Sequence, residues 1–302
     1  MRTCTIVVLA AGLALAACDK GGKGAANNDK TAPPADDPAK GNGARSTPPA
    51  PPTSTAPAAV GADAITLHYA VPAVGTRWIE ERGQTMDLDI TAEGQHAKMT
   101  ADRREGKTIE ILAVTADAIS KAKVSYEVVQ NSQKVAGKEH FGPSPLVGKT
   151  YTLTAGSPIV VSTDAGPAPE AEAAAVQEIE QSFGKPSRMG TLLANRSFPR
   201  DQATDLPAGE IGQALGDDPS MIVQKLTLTY RGMAGDLATF DIAMTVVQDR
   251  DGNHMAMELA GKLLIHPKAN DVGSLALDGS VTLTGKAAAK GTMQMRQKRT
   301  AR

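Results

Sequence analysis

One segment of the chain has the composition of a phosphate-binding loop. Residues 142–150 read GPSPLVGKT, with two glycines ahead of a Lys-Thr pair. A phosphate-binding loop places four residues between these glycines, whereas five separate them here, and two prolines remove amide donors that would cradle the phosphate. The next residues, YTLTA at 151–155, alternate like a strand, although the motif requires a helix there. The sequence therefore predicts no nucleotide site in this segment.

A second segment imitates a calcium-binding loop. DRDGN at 249–253, together with Glu258, matches the third, fifth, sixth and twelfth positions of such a loop. Val247, however, stands where the loop needs its first carboxylate, and both flanking stretches alternate as strands do. Because Asp-Gly is a favoured pair for a tight turn between strands, we predict a β-hairpin here rather than a cation site.

The remaining reactive residue types fall at no spacing that indicates chemistry. The five histidines lie far apart in the sequence, and none pairs with another at metal-ligand spacing. The chain has no Gly-x-Ser-x-Gly elbow and no Ser-x-x-Lys with the partners of a penicillin-binding site. Catalytic carboxylate pairs are assembled in space, so the abundance of Asp and Glu is no evidence for one. We therefore predict a protein that is not an enzyme and that takes no cofactor or metal.

The composition argues against nucleic-acid and sugar partners. Lys and Arg number 32 against 33 Asp and Glu in 302 residues, so the chain lacks the positive charge that nucleic-acid binding requires. One Trp, four Tyr and four Phe offer few surfaces on which bases or sugars could stack. Two cysteines are too few for a disulfide framework or a four-thiolate zinc site.

The N-terminus resembles the signal of a bacterial lipoprotein. Arg2 precedes an apolar run at residues 5–17, which is too short to cross about 30 Å of hydrocarbon as a helix. The run ends in Leu15-Ala16-Ala17-Cys18, which is similar to the lipobox of bacterial lipoproteins. The resemblance implies that residues 1–17 are a signal peptide, that Cys18 carries diacylglycerol, and that its freed amine is acylated. Several acyl chains together anchor a protein firmly in a membrane.

The resemblance places the protein in the bacterial cell envelope. Its expected partner there is the membrane itself, through the lipidated Cys18, and the folded part would face the periplasm. Asp19 resembles an inner-membrane retention signal, but this sorting rule differs between bacterial groups, so both the inner and the outer membrane remain open. On this interpretation Cys4 is removed with the signal peptide, so the folded domain contains no cysteine.

Residues 18–63 are predicted to be a lipidated cysteine followed by a disordered tether. More than half of residues 19–63 are Pro, Gly or Ala, and Val60 is the only large apolar side chain among them. Such a stretch buries too little surface to offset the entropy of an ordered chain. We therefore predict that one β-rich domain, residues 64–302, stands off the membrane on this tether.

The domain begins with alternation of period two. Met86, Leu88 and Ile90 share one face, while Asp87 and Asp89 share the other, as in a strand that is wet on one side. In a later strand the same alternation places Val124, Tyr126 and Val128 on one face.

The predicted fold is mainly β, with two antiparallel meanders and one main helix between them. The meanders span about residues 64–163 and 221–297, and a mostly helical linker spans about 168–215. The main helix is expected at 169–183, with a shorter one at 207–215. The meanders should form a curved sheet, a half-barrel or a sandwich. The basic tail at 296–302 is expected to be solvated.

The apolar sheet faces exceed the cover that one helix can supply. The predicted arrangement is therefore similar to the periplasmic half-barrel lipoprotein carriers in strand content and compartment, and this similarity implies an apolar or lipid ligand held by the sheet. The candidate ligand face consists of Met86, Leu88, Met244, Met255, Met257, Met293 and Met295. Methionine suits an adaptable apolar site, but it also fills irregular cores, and both interpretations remain open.

Two function hypotheses follow. The first is a noncatalytic, membrane-anchored binding module that holds an apolar or lipid ligand. The alternative is a structural or assembly lipoprotein that binds another envelope protein. The shape of the interior distinguishes them, because an open cavity favours a carrier and a filled core favours the interaction role.

Overall fold

A computed structural model describes most of the chain downstream of the proposed tether. The described residues are 63–92, 94–215, 221–250, 252–269 and 271–302. The signal peptide, Cys18 and the tether up to residue 62 lie outside them. The predictions made for those segments are therefore not addressed by the fold.

Fifteen strands and three helices form within the described residues. The strands of the first part are β1 Ala64–Thr66, β2 Arg77–Ala92, β3 Gln95–Val114, β4 Ile119–Val135, β5 Lys138–Pro143, β6 Thr150–Thr154, β7 Val160–Thr163 and β8 Gly166–Pro167. The connecting part holds α1 Glu170–Ile179, α2 Arg188–Leu193, β9 Ser197–Pro199, β10 Ala203–Asp205 and α3 Ala208–Leu215. The last part holds β11 Met221–Ala234, β12 Leu237–Arg250, β13 Asn253–His266, β14 Asp271–Gly285 and β15 Ala288–Ala301.

Thirteen of these strands form one curved antiparallel sheet that does not close into a barrel. The order is β10-β11-β12-β13-β14-β15-β2-β3-β4-β6-β7-β8, and β5 also pairs with β4. Strands β1 and β9 pair separately as a two-stranded ribbon. The predicted fold class is thus confirmed, with both meanders joined in a single sheet.

The two meanders meet where β15 pairs with β2, a junction that we call the seam. The pairing is antiparallel and runs from Ala288 opposite Thr91 to Ala301 opposite Trp78. The first half of the sheet, β2–β8, and the second half, β11–β15, therefore share continuous hydrogen bonding, although β2 and β15 lie far apart in sequence.

Both segments that imitate binding motifs form strand connections. Strands β12 and β13 form a hairpin in which Gly252 has a φ of +79°, a backbone conformation that glycine adopts without strain. The hairpin prediction at 249–253 is confirmed. After the GPSPLVGKT segment the chain enters β6, so the strand prediction there is confirmed as well.

The prediction for Val128 was wrong. Tyr126 pairs with Lys107, whereas Val128 pairs with Gly106, so the register shifts between these two pairs. An extra residue in one strand reverses the side-chain alternation beyond it. Val124 and Tyr126 are consequently buried, while Val128 is 43% exposed.

The main helix is shorter than the sequence suggests. It ends at Ile179, and Glu180 takes the capping conformation with its N–H donated to the carbonyl of Val176. Phe183 then donates its N–H to the carbonyl of Glu180 in a turn outside the helix. The shorter predicted helix is confirmed as α3. Helix α2 was not predicted, because its six residues are too few to show a helical period in the sequence.

The sheet carries two separate apolar cores on the same face, which we call the inner face. The first core lies in the first half and contains Trp78, Ile109, Ile111, Ala122, Val124, Tyr126, Leu146, Tyr151, Leu153, Ile159, Val161 and Val176. Helix α1 covers it through Val176. The second core contains inner-face residues of β11–β15 and is covered by residues from α2, α3, β9 and the segments beside them.

Three glycines of the second half allow neighbouring strands to approach closely. A Cβ at Gly279 would lie 1.9 Å from the carbonyl oxygen of Glu258, and one at Gly261 or Gly291 would lie 1.8 Å from a carbonyl oxygen of the next strand. These glycines sit on β13, β14 and β15. Glycine within a strand marks such close backbone approach and lets a sheet bend.

Candidate functional site

Charged side chains interrupt the apolar inner face at the seam. On β2 the alternation that buries Trp78 and Met86 also turns Glu80 inward, and on β3 the alternation that buries Ile109 turns Lys107 inward. The regular two-residue alternation of β2 and β3 therefore places charged side chains on the inner face between the two cores. We call Glu80, Arg82, Glu105, Lys107, Glu180, Asp271 and Arg299 the charged cluster.

Cross-strand register arranges opposite charges side by side. Arg299 of β15 lies opposite Glu80 of β2, and Glu80 lies opposite Lys107 of β3. The Nη2 atom of Arg299 is 2.5 Å from Oε2 of Glu80, while Nζ of Lys107 is 3.6 Å from Oε1 of the same carboxylate. Arg82 adds a further contact, with its Nη2 atom 2.7 Å from Oε1 of Glu80.

Lys107 is the centre of the charged cluster. Its side chain is 1% exposed, and its Nζ lies 2.6 Å from Oε1 of Glu180 and 2.8 Å from Oε1 of Glu105, in addition to Glu80. Burial by itself lowers the pKa of Lys107, but the negative charges of Glu180, Glu80 and Glu105 outweigh it and raise the pKa above its usual value. Lys107 is therefore charged at neutral pH.

Glu80 is held in its ionised form by the same contacts. Burial by itself raises the pKa of this carboxyl, but the positive charges of Lys107, Arg82 and Arg299 lower it to about 2. A buried carboxylate with several cationic partners remains charged because each partner replaces part of the lost hydration.

The end of helix α1 is fastened to this cluster. Glu180 accepts hydrogen bonds from Nζ of Lys107 and, at 3.0 Å, from the hydroxyl of Tyr126. Burial and the neighbouring negative charge of Glu180 raise the pKa of Tyr126 far above its usual range. At the other end of the helix, Glu172 accepts hydrogen bonds from Tyr151 at 2.5 Å and from Lys149 at 2.7 Å. Carboxylates thus fasten both ends of the helix to the sheet.

The second half contributes Arg299 and Asp271. Arg299 pairs with Asp271 as well as with Glu80, and its guanidinium lies 4.6 Å from the ring centroid of Trp78. Burial raises the pKa of Asp271, and the positive charge of Arg299 offsets part of this effect. The indole Nε1 of Trp78 is buried and donates no hydrogen bond within the described part of the chain.

A cleft with a volume of about 530 Å³ opens over the charged cluster, and we call it the seam cleft. One wall is the segment at 69–72, which is held by the hydrogen bond from the N–H of Ala70 to the carbonyl of Ala269. The opposite wall is the turn after α1 together with the start of α2. Tyr69 links the walls, because its hydroxyl accepts the N–H of Ser187 at 3.2 Å.

The lining of the seam cleft is polar on one side and apolar on the other. Charged side chains of β2 and β3 form one part of the floor. Val272, Leu275 and Met295 of β14 and β15 line another part. A concave site of this volume with a few convergent polar groups has the character of a small-molecule pocket.

The structure places most of the predicted ligand face inside packed cores. Met255, Met257 and Met293 are buried in the second core, and Met86 is buried opposite Met293. Leu88, Met244 and Met295 are partly buried against the second core. Met295 is the only one of the seven that lines the seam cleft.

The expectation of a solvated basic tail was wrong for Arg299, whereas Arg296 and Lys298 of the same strand are exposed as expected. Strand β15 continues to Ala301 because it pairs with β2 over its whole length. Arg299 is consequently one-fifth exposed and ion-paired, and Arg296 lies in the cleft lining with its guanidinium 2.7 Å from Asp278.

Within the described ranges, no group of three or more His, Cys, Asp or Glu side chains is arranged to hold a metal ion. In the same part of the chain, no helix has the length and hydropathy to span a membrane.

The chain has distant structural neighbours but no matching family. No family model matches it, and no curated protein matches it. A structure titled for lipid–protein interactions in lipovitellin aligns at a TM-score of 0.39 and 9% identity, over 76% of this chain and 25% of that one. The chain thus spans about a quarter of the length of that protein.

DynF of the dynemicin biosynthesis pathway of Micromonospora chersina aligns at a TM-score of 0.20 and 8% identity, over 79% of this chain and 85% of that one. With both scores below 0.5, neither likeness establishes a shared fold.

Proposed function

We propose that this protein is a membrane-anchored envelope lipoprotein whose β-rich domain binds an amphiphilic ligand in the seam cleft without transforming it. The observation that supports this most directly is the cleft itself, whose floor places an apolar part beside a charged part between the two apolar cores. The proposal keeps the binding module predicted from the sequence but moves its site. The ligand lies at the seam rather than against the buried methionines.

The geometry of the cleft favours a ligand with two chemically different ends. Leu275 and Met295 offer apolar contact on the β14 and β15 side, whereas Arg82 and Arg103 offer hydrogen-bond donors on the β2 and β3 side. A purely apolar ligand would leave the donors without partners, and a purely polar one would leave the apolar surface wet. An amphiphile satisfies both sides.

The pKa shifts of Glu80, Lys107 and Tyr126 support a role for these groups in binding rather than in acid–base catalysis. General acid–base groups work best with a pKa near the working pH. Here the pKa of Glu80 is held at about 2, and the pKa values of Lys107 and Tyr126 are raised above their usual values. Glu80 and Lys107 therefore stay charged at neutral pH, and Tyr126 stays a neutral hydroxyl.

The anchor and the tether explain how such a module would meet its ligand. Lipidated Cys18 would hold the chain at the membrane, and a tether of about 45 residues would span roughly 35–40 Å as a coil. The seam cleft could then reach amphiphiles at or near the membrane surface. Labelling cells with a radioactive fatty acid tests the anchor: wild-type protein should be labelled and Cys18→Ala should not, and equal labelling of both would refute lipidation.

Co-purification tests the binding function. The full chain carrying Cys18→Ser, which removes the proposed acyl chains, would be purified without detergent and examined by native mass spectrometry and lipid extraction. We expect a bound amphiphile. A Leu275→Glu variant, which places a charge on the apolar side, should lose it, whereas Val160→Glu on the exposed surface should not. Absence of any ligand, together with no binding of fluorescent lipid probes, would contradict the proposed function.

A further inference from the structure

The floor of the seam cleft changes from apolar to charged across four adjacent strands. Inner-face residues of β14, β15, β2 and β3 lie opposite one another in two rows, which are Leu277, Met295, Gln84 and Arg103, and Leu275, Gln297, Arg82 and Glu105. In both rows the side chains change from aliphatic on β14 to charged on β3. The register of the sheet therefore builds a polarity gradient along one direction.

The gradient has the length of a small amphiphile. Neighbouring strands lie about 4.8 Å apart, so the three spacings from β14 to β3 cover roughly 14 Å. The cleft-lining members of these rows include Leu275 and Met295 at one end and Arg103 at the other. A ligand lying across the strands would contact aliphatic side chains with one end and guanidinium groups with the other.

Arg103 is a charged residue of this floor for which the described part of the chain shows no partner. Among the described residues, no carboxylate lies within ion-pair distance of the Arg103 guanidinium. The side chain also forms no hydrogen bond with any of these residues. Glu105, which lies two residues further along the same face of β3, is ion-paired with Lys107. Arg103 therefore lines the cleft with its donors available.

Arg82 adds a second set of donors beside Arg103. Arg82 lies opposite Glu105, and Arg103 lies opposite Gln84, so the two arginines are diagonal neighbours on adjacent strands. The side chain of Arg82 is 44% exposed although one of its nitrogens contacts Glu80. Two guanidinium groups at this spacing suit a carboxylate or phosphate, since both anions accept paired hydrogen bonds from arginine.

We propose that the ligand of the seam cleft is an anionic amphiphile whose carboxylate or phosphate binds Arg103 and Arg82, with its aliphatic part over Met295 and Leu275. This inference rests on the proposed binding function and specifies the charge and orientation of the ligand. Gln84 and Gln297 lie between the two ends and offer neutral hydrogen bonds along the path.

The single tryptophan of the chain provides the means to observe binding. Trp78 is 4% exposed, lines the seam cleft and contacts Arg299. A ligand that enters the cleft changes the surroundings of this indole and so its fluorescence. Since the chain has one tryptophan, the signal reports on this cleft alone.

The experiment titrates the full chain carrying Cys18→Ser with four probes below their micelle concentrations. The probes are sodium dodecanoate, dodecyl phosphate, neutral dodecyl maltoside and inorganic phosphate. Trp78 fluorescence and calorimetry give Kd for the parent protein, for Arg103→Gln and for a matched control, Arg104→Gln. Arg104 is the next residue of β3, faces the other side of the sheet and pairs with Asp102 at 2.9 Å. Thermal unfolding of each variant verifies that it is folded, and Arg103→Lys tests whether charge alone restores binding.

We expect the two anionic amphiphiles to bind more tightly than dodecyl maltoside and much more tightly than inorganic phosphate. Arg103→Gln should weaken dodecanoate binding about tenfold or more, the effect of losing a charge-assisted hydrogen bond, while Arg104→Gln leaves it unchanged. Equal affinity for neutral and anionic probes, or equal effects of the two substitutions, would refute the anion site and leave amphiphile binding intact. Equally tight binding of inorganic phosphate would refute the amphiphile function instead, and no binding of any probe would refute both.

Discussion

The two halves of the sheet hold their covering segments by different combinations of forces. In the second half, α2, α3 and β9 place Leu192, Ile211 and Phe198 into an aliphatic and methionine-containing core. In the first half, α1 buries Val176 completely, packs Ala173, Ala175 and Ile179 partly buried against the core, and is also fastened through Glu172 and Glu180. Apolar burial does not depend on pH, whereas contacts between charged groups do.

This difference predicts that the two halves respond differently to pH and to substitution. The second half is a packed scaffold whose strands approach closely at its glycines. The first half carries a helix whose attachment combines apolar packing with ion-paired carboxylates, one of which, Glu180, lines the seam cleft. Pairs of substitutions, one in the half of interest and a matched control elsewhere, test this difference between the halves.

The largest effect is expected at Lys107. Lys107→Met leaves Glu80, Glu105 and Glu180 buried without their central cation, which typically costs about 3–5 kcal/mol. Lys123→Met removes a cation that is 41% exposed and 3.7 Å from Asp164, so it should cost less than about 1 kcal/mol. Urea unfolding at pH 7 measures both. Similar losses for the two variants would contradict the central position of Lys107.

Acid should weaken the first half through Glu80. The pKa of this carboxyl is about 2 in the folded protein against an ordinary value of 4.5. Because the folded pKa is lowered, its stabilisation is complete above about pH 5 and is lost as the pH falls towards 2, by about 3 kcal/mol for this group. Unfolding free energies of the parent and Glu80→Gln at pH 6 and pH 3 test this. The parent should lose clearly more stability than the variant over this interval, and identical losses would exclude Glu80 as the sensitive group.

The next largest difference in stability between the halves is expected from glycine substitutions. Gly279→Ala places a methyl group against the carbonyl oxygen of Glu258 and should destabilise the second half by roughly 1–3 kcal/mol. Gly83→Ala in β2 has no atom within 4 Å of the new Cβ and should be neutral or slightly stabilising. Thermal unfolding of both variants provides the comparison. A neutral Gly279→Ala would show that the strands of the second half do not approach as closely as described.

The smallest effect is expected from two tyrosine hydroxyls. Tyr126→Phe removes the hydrogen bond to Glu180, which should cost about 1.5 kcal/mol because the acceptor is charged. Tyr230→Phe in the second core removes a hydroxyl for which the described residues show no hydrogen-bond partner, so its effect should be near zero. Hydrogen exchange at the amide of Glu180 would show the difference locally, and equal protection in both variants would contradict the fastening of α1.

The strands could be predicted from the sequence because their alternation is a local property. The faces of Met86, Leu88 and Ile90 were correct, and so were the hairpin at Gly252 and the start of α1. The error at Val128 arose from a change of register, which depends on how β3 and β4 pair and leaves no signature within one strand.

The charged cluster could be predicted only in part. The inward alternation of β2 and β3, continued along each strand, predicts five charged residues on the buried side: Glu80, Arg82, Arg103, Glu105 and Lys107. Because buried charges are stable only when paired, the same pattern predicts that these residues have oppositely charged partners. The partners themselves come from afar: Glu180 lies 73 residues from Lys107, and Arg299 lies 219 residues from Glu80. Such pairings follow from the strand order, which alternation does not determine.

The pairing of β15 with β2 also constrains how the protein matures. Residues 288–301 leave the ribosome about 200 residues after β2, and until they arrive β2 presents an open edge that other chains can join. Contacts between such distant segments form slowly because a long loop must close first. A nascent chain therefore has a defined period of vulnerability, in which a chaperone that shields residues 77–92 would improve the yield of folded protein.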